Sequence, residues 1–176
     1  MSGESLQIHP STKVAQLLDA YPELEEILIR MAPPFKKLKN PILRKSVARV
    51  ATLKQAAIAG RLDLSSMINQ LREAVGQAPL DTTDTISEED YLGTAPGWFN
   101  QGCVASSIDD RAGDSDEMAI NRAVKALKDL GECQVVELTT TFLLAPGIDA
   151  ARKKRLLTWT VREGEELYRT YFSRSR

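Results

Sequence analysis

The stretch "IDDRAGDSDEMAINRAVKAL", Ile108 to Leu127, decides the fold. Its first residues close the run "CVASSID", Cys103 to Asp109, which reads as a strand. Its last residues carry Ile120, Ala123, Val124 and Leu127 at the spacing that lines one face of a helix. Between them lies a polar turn in which Asp114 and Glu117 are placed to cap the helix start. A strand, a short turn and an amphipathic helix in succession open an alternating strand–helix domain.

The pattern continues downstream. Gly131 closes the first helix, and "CQVVELTTT", Cys133 to Thr141, is a β-branched, alternating strand. After Pro146, "GIDAARKKR" reads as a second, short helix, and "LLTWTV" and "LYRTYF" as two final strands joined by residues 162–166. The order βαβαββ predicts a two-layer sandwich with the helices on one face of a mixed sheet. Leu157, Trp159 and Val161 are expected to face inward and Thr158 and Thr160 outward.

Upstream, residues 77–94, "QAPLDTTDTISEEDYLGT", are poor in apolar side chains and read as a linker. Residues 1–76 hold 11 basic and 7 acidic side chains, the linker five acids and no base, and residues 95–176 twelve of each. That asymmetry supports a domain at 1–76, a linker at 77–94 and a second domain at 95–176. The first domain reads as five short helices. Val14, Leu17, Leu18 and Tyr21 form a stripe behind Ser11 and Thr12 as cap, and Pro22 opens a helix that Pro33 and Pro34 stop. Asn40-Pro41 starts a third, and Thr52 with Gln55 forms a capping box ahead of a helix that Gly60 ends. The fifth runs from Asp63, with Leu64, Ile68, Leu71 and Val75 inward. The fold class is therefore α+β.

The net charge of −1 gives the whole chain no nucleic-acid or membrane signature. The start, "MSGESLQIHPSTK", is polar and does not read as a secretory leader, and no apolar run is long enough to span a bilayer. Two cysteines then fit free thiols in a reducing cytosol, so a cytoplasmic location is expected.

Both halves resemble known families. The run "TLKQAAIAGRLDLSSMINQLREAV", Thr52 to Val75, resembles a small bacterial helical domain of unknown function. That domain is similar to the N-terminal domain of the di-iron proteins that repair iron–sulfur clusters. Those relatives carry paired cysteines before this run, where this chain has "MAPPFKKLKNP". The second half resembles the TusA-like sulfur carriers through Asp109, Arg111, the helix from Met118, "APGID" and "LYRTYF". A carrier of that family would need Cys-Pro near Ser115 and Asp116, and neither residue is there. The resemblance implies the fold together with a loss of persulfide chemistry, since serine cannot replace a nucleophilic sulfur.

Four groups of residues invite a function. Asp109, Arg111, Thr140, Thr141 and Asp149 fall at the C-terminal ends of the predicted parallel strands and near a helix start, where α/β sheets bind small anions. Gly147 would allow close backbone approach there. The alternative is that these side chains only cap turns and helices. Cys103 and Cys133 open neighbouring strands and read either as a thiol pair or as small buried residues. Lys36, Lys37, Lys39, Arg44, Lys45 and Arg49, with Lys54 and Arg61, form a run of eight bases without an acid. That run reads as a solvated face, a dock for acidic residues, or a nucleic-acid patch whose affinity would fall steeply with salt. An outward Trp98 or Tyr171 would mark a homodimer or interdomain surface.

His9 is the only histidine, so no histidine-based triad or common zinc site is readable, and neither metal nor cofactor is expected. The expectation is a non-catalytic adaptor for a protein partner or small anionic ligand, linked by resemblance to sulfur, iron–sulfur or anaerobic redox metabolism. A sulfur carrier using Cys103 or Cys133, and a nucleic-acid binder using the basic run, are the alternatives.

Overall fold

A computed structural model of the chain describes residues 6–82, 87–113 and 117–174, leaving aside the side chains of residues 42 and 43. It divides into two units, Met1–Ile86 and Ser87–Arg176.

The first unit carries α1 (Val14–Ala20), α2 (Leu24–Met31), a 3₁₀-helix (Pro33–Lys39), α3 (Pro41–Val50), α4 (Leu53–Gly60) and α5 (Leu64–Ala74). The capping box is present: the Gln55 amide donates to Thr52 Oγ1 at 3.3 Å, and the Thr52 amide donates to Gln55 Oε1 at 3.1 Å. Asp63 caps α5 by accepting from the Ser66 amide at 2.8 Å. Leu17, Leu18, Leu24, Leu28, Leu53 and Ile68 form the buried centre.

One local expectation changes. Thr12 does not cap α1; its hydroxyl accepts from the His9 amide, and the Val14 amide donates to the carbonyl of Ala51 at 2.9 Å. The turn between α3 and α4 thus supplies the acceptor that a cap side chain would have supplied. Pro33 and Pro34 stop α2 as expected, and the chain tightens from there into the 3₁₀-helix. Gly60 is the last residue of α4, and the left-handed step is taken by Arg61, at φ 54°. What Gly60 provides is space: a Cβ there would lie 3.0 Å from Ala32 Cβ and 3.1 Å from Phe35 Cζ.

The second unit has the order β1 (Val104–Asp109), α6 (Ala119–Lys128), β2 (Val135–Thr140), α7 (Ala145–Lys153), β3 (Leu156–Gly164), β4 (Leu167–Arg174). The sheet runs β1-β2-β4-β3, with β1 parallel to β2 and the other pairs antiparallel. Val136, Leu138 and Phe172 face α6 and α7 and bury Ile120, Ala123, Leu127 and Ala151. The fold is mixed helix and sheet with both helices on one face. Gly147 serves that packing: a Cβ there would sit 2.9 Å from Ile120 Cγ1, so its missing side chain lets α7 close on α6. The expected cap at Asp114 lies outside the described residues; α6 begins at Ala119, with Met118 at its N-cap.

The assignment of β3 faces inverts. Thr158 and Thr160 pair with Phe172 and Thr170 of β4, which places them on the helix side. Thr160 is buried and hydrogen-bonded to Thr170 at 3.1 Å between hydroxyls. Trp159 pairs with Tyr171 on the opposite face. Alternation along a strand reveals two faces but not which one the helices cover. Here Thr160 can go inward because a second threonine satisfies its hydroxyl.

Much of the expected 77–94 linker is fastened to one unit or the other. In the first unit the Leu80 amide donates to Asn69 Oδ1 at 2.8 Å, and Arg72 Nε donates to the carbonyl of Ala78 at 2.5 Å. In the second, Glu88 accepts from Tyr168 and Arg162, Tyr91 donates to Asp149 Oδ2 at 2.8 Å, and Leu92 bridges Thr160 at the outer edge of β3. These attachments are mainly polar, so a composition measure that counts apolar residues does not detect them.

Candidate functional site

The helix-free face of the sheet carries a group of ionisable and aromatic side chains. Register places Asp109, Thr139, Arg169 and Val161 in one row across the four strands, and Ser107, Glu137, Tyr171 and Trp159 in the next. Because side chains alternate along each strand, both rows project on the side away from α6 and α7.

The charged part of this face is internally paired. Arg111 grips Asp109 with a fork, Nε to Oδ1 at 2.9 Å and Nη2 to Oδ2 at 2.6 Å, and its own backbone amide adds a bond at 3.1 Å. The Arg111 guanidinium, then its amide, holds the Asp109 carboxyl down at about 2. Arg169 bridges two acids, Nη1 to Glu137 at 3.2 Å and Nε to Glu163 at 2.8 Å. Glu137 is almost fully enclosed, with 10% of its side chain exposed, so its charge requires that partner. Burial, reinforced by the neighbouring Glu137 carboxylate, raises the Tyr171 phenol above its ordinary value.

Beside the charges lies an aromatic cluster. The rings of Trp159 and Tyr171 stack at 5.0 Å, Phe99 touches both at 4.5 and 4.6 Å, and Trp98 meets Phe99 edge-on at 6.3 Å. The Trp159 indole donates to the carbonyl of Gly93 at 2.7 Å. Tyr171 is buried, while Trp98, Phe99 and Trp159 remain half-buried.

The five residues expected to form an anion pocket are distributed over both faces. Asp109 and Arg111 are together on the helix-free side. Thr140 pairs with Tyr168 on the helix side, buried, and donates to the carbonyl of Phe142 at 2.8 Å. Thr141 follows in the turn, and Asp149 lies inside α7 as the acceptor for Tyr91. Cys103 is half-buried and Cys133 exposed, and neither is in a disulfide. The parallel pairing starts at Val104 and Val135, just beyond them, which puts both thiols near the same end of adjacent strands. Cys133 holds a left-handed φ of 64°. In the first unit, Arg44 pairs with Glu25 at 2.5 Å and Lys39 with Glu26 at 3.9 Å, while Lys36, Lys45 and Arg49 are exposed. Among the described residues there is no group of three or more His, Cys, Asp or Glu suited to a metal ion, and no helix long and apolar enough to cross a membrane.

Glu137, Glu163 and Arg169 were not singled out from the sequence. The signal was a carboxylate within the apolar run of β2, which has to find a cation on a neighbouring strand. Identifying Arg169 as that cation needs the antiparallel register of β2 and β4.

A family model described as a domain of unknown function (DUF1858) matches residues 8–68, within the first unit. No curated protein and no solved structure matches the chain.

Proposed function

We propose that this chain is a non-catalytic adaptor that docks a protein partner on the helix-free face of its second unit. The observation that carries the proposal is that half-buried Trp98, Phe99 and Trp159 share the helix-free face with the ion-paired Arg111 and Arg169. Aromatic rings and arginines on a rigid sheet are the residue types that dominate protein interfaces. Three acids and two bases of this face, Asp109, Glu137, Glu163, Arg111 and Arg169, sum to −1 and are ion-paired with one another. Such a mosaic suits a protein surface bearing both signs better than a small anion, which would have to displace Asp109 from the Arg111 fork. The βαβαββ order with helices on one face supports the TusA-like reading, and with it a place in sulfur, iron–sulfur or anaerobic redox metabolism. The test is affinity capture with the full chain and with Trp98→Ser and Arg111→Ser variants shown to be folded. A partner bound by the parent and lost from both variants supports docking on this face; identical capture by all three overturns it.

A sulfur carrier using Cys103 or Cys133 is the second reading, favoured by the exposed thiol of Cys133 in a left-handed turn. Intact mass decides it, since a persulfide would appear as one added sulfur that a reductant removes. A mass lost only on denaturation would favour a small anionic ligand instead.

A further inference from the structure

A different surface lies on the first unit. The 3₁₀-helix and α3 follow one another, and no acid occurs between Lys36 and Arg61. Two of the bases there are engaged by α2, through Arg44–Glu25 and Lys39–Glu26. Lys45 and Arg49 are exposed one turn apart on α3, close enough for like charges to oppose each other. A bridge between Lys13 and Thr52 brings a third exposed cation beside the end of α3. Next to Arg49, at the end of α3, stands Val50, a large apolar side chain 50% exposed.

We infer that Lys13, Lys45, Arg49 and Val50 form a docking surface for an acidic polypeptide segment that presents apolar side chains among its carboxylates. Charge complementarity selects an anionic occupant. The choice between polypeptide and nucleic acid rests on the apolar and aromatic content of the surface. Single-stranded nucleic acid needs rings for its bases to stack on, and the aromatic of this region, Phe35, is buried in the core. Phosphates make no use of Val50, whereas an acidic helix with leucines one turn apart would cover it and gain from its desolvation. Such a contact depends on salt through the cations and keeps a salt-independent part through Val50.

The full chain is titrated against a fluorescein-labelled peptide of Glu-Glu-Leu-Leu repeats and against a duplex DNA of similar length. Two variants, Lys45→Glu/Arg49→Gln and Val50→Ser, are checked for folding by circular dichroism. Saturable peptide binding is expected, weakened about tenfold or more in the charge variant and about threefold in the valine variant. Absent peptide binding at low salt, or equal binding by all three proteins, overturns the inference. Tighter binding of DNA than of peptide, unaffected by Val50→Ser, also overturns it and assigns the surface to nucleic acid.

Discussion

The guanidinium of Arg72, in the last turn of α5, donates to the carbonyl of Ile8 at 2.7 Å across 64 residues of chain. The same side chain donates to Ala78, and Gln77 holds the same segment from the other side. Gln77 accepts from the Ile8 amide at 3.1 Å and donates to the Leu6 carbonyl at 2.7 Å. A buried cation is tolerable here because backbone carbonyls surround it. Arg72→Leu should therefore destabilise the first unit by about 2–4 kcal/mol, leaving two buried carbonyls without their donor. Hydrogen exchange at Ile8 would read this directly; unchanged protection would show that the clamp contributes little.

Gly147→Ala should cost the second unit about 1–3 kcal/mol, because the new methyl group meets three carbons of Ile120 at 2.9–3.0 Å. Combining it with Ile120→Ala should recover part of that loss. A thermal-unfolding double-mutant cycle with no coupling between the two positions would contradict the close approach of α7 to α6.

The Asp109–Arg111 pair should be visible in a titration. A carboxyl lowered to about 2 in the folded chain contributes stability that is present above its unfolded pKa, near 4. That contribution is lost as pH falls from there toward 2. Carboxyl NMR should place the Asp109 midpoint near 2 in the parent and in the ordinary aspartate range in Arg111→Gln. Equal midpoints in the two proteins would mean that the fork does not persist in solution.

Residues 87–93 should behave as part of the second unit. Tyr91→Phe removes one donor to Asp149 and should cost about 1 kcal/mol. A chain beginning at Ala95 loses that bond, the Glu88 contacts and the Gly93 acceptor of Trp159, and should be less stable by several times as much. Tryptophan fluorescence during unfolding of chains starting at Ser87 and at Ala95 makes the comparison. Equal midpoints would return 87–93 to the role of a linker.

Sequence by itself determined the elements. Thr52 with Gln55, Asp63 before Leu64, and the prolines at 33, 34 and 41 set helix ends through backbone chemistry that acts over three or four residues. The β-branched run after Cys133 and the helical spacing from Ile120 to Leu127 specified the βαβαββ order for the same reason, because neighbours in the chain suffice to define a period. Tertiary structure decided what each face meets. Thr160 turned inward because Thr170 answers its hydroxyl, and Glu137 became buried because Arg169 stands on the next strand. Gly147 became a helix contact because Ile120 lies opposite, and Glu88 and Tyr91 found Tyr168 and Asp149 far along the chain. The candidate site belongs to this second class. Its charges and rings were all readable as residues, but which of them meet depends on strand register, and register is set by the whole sheet together.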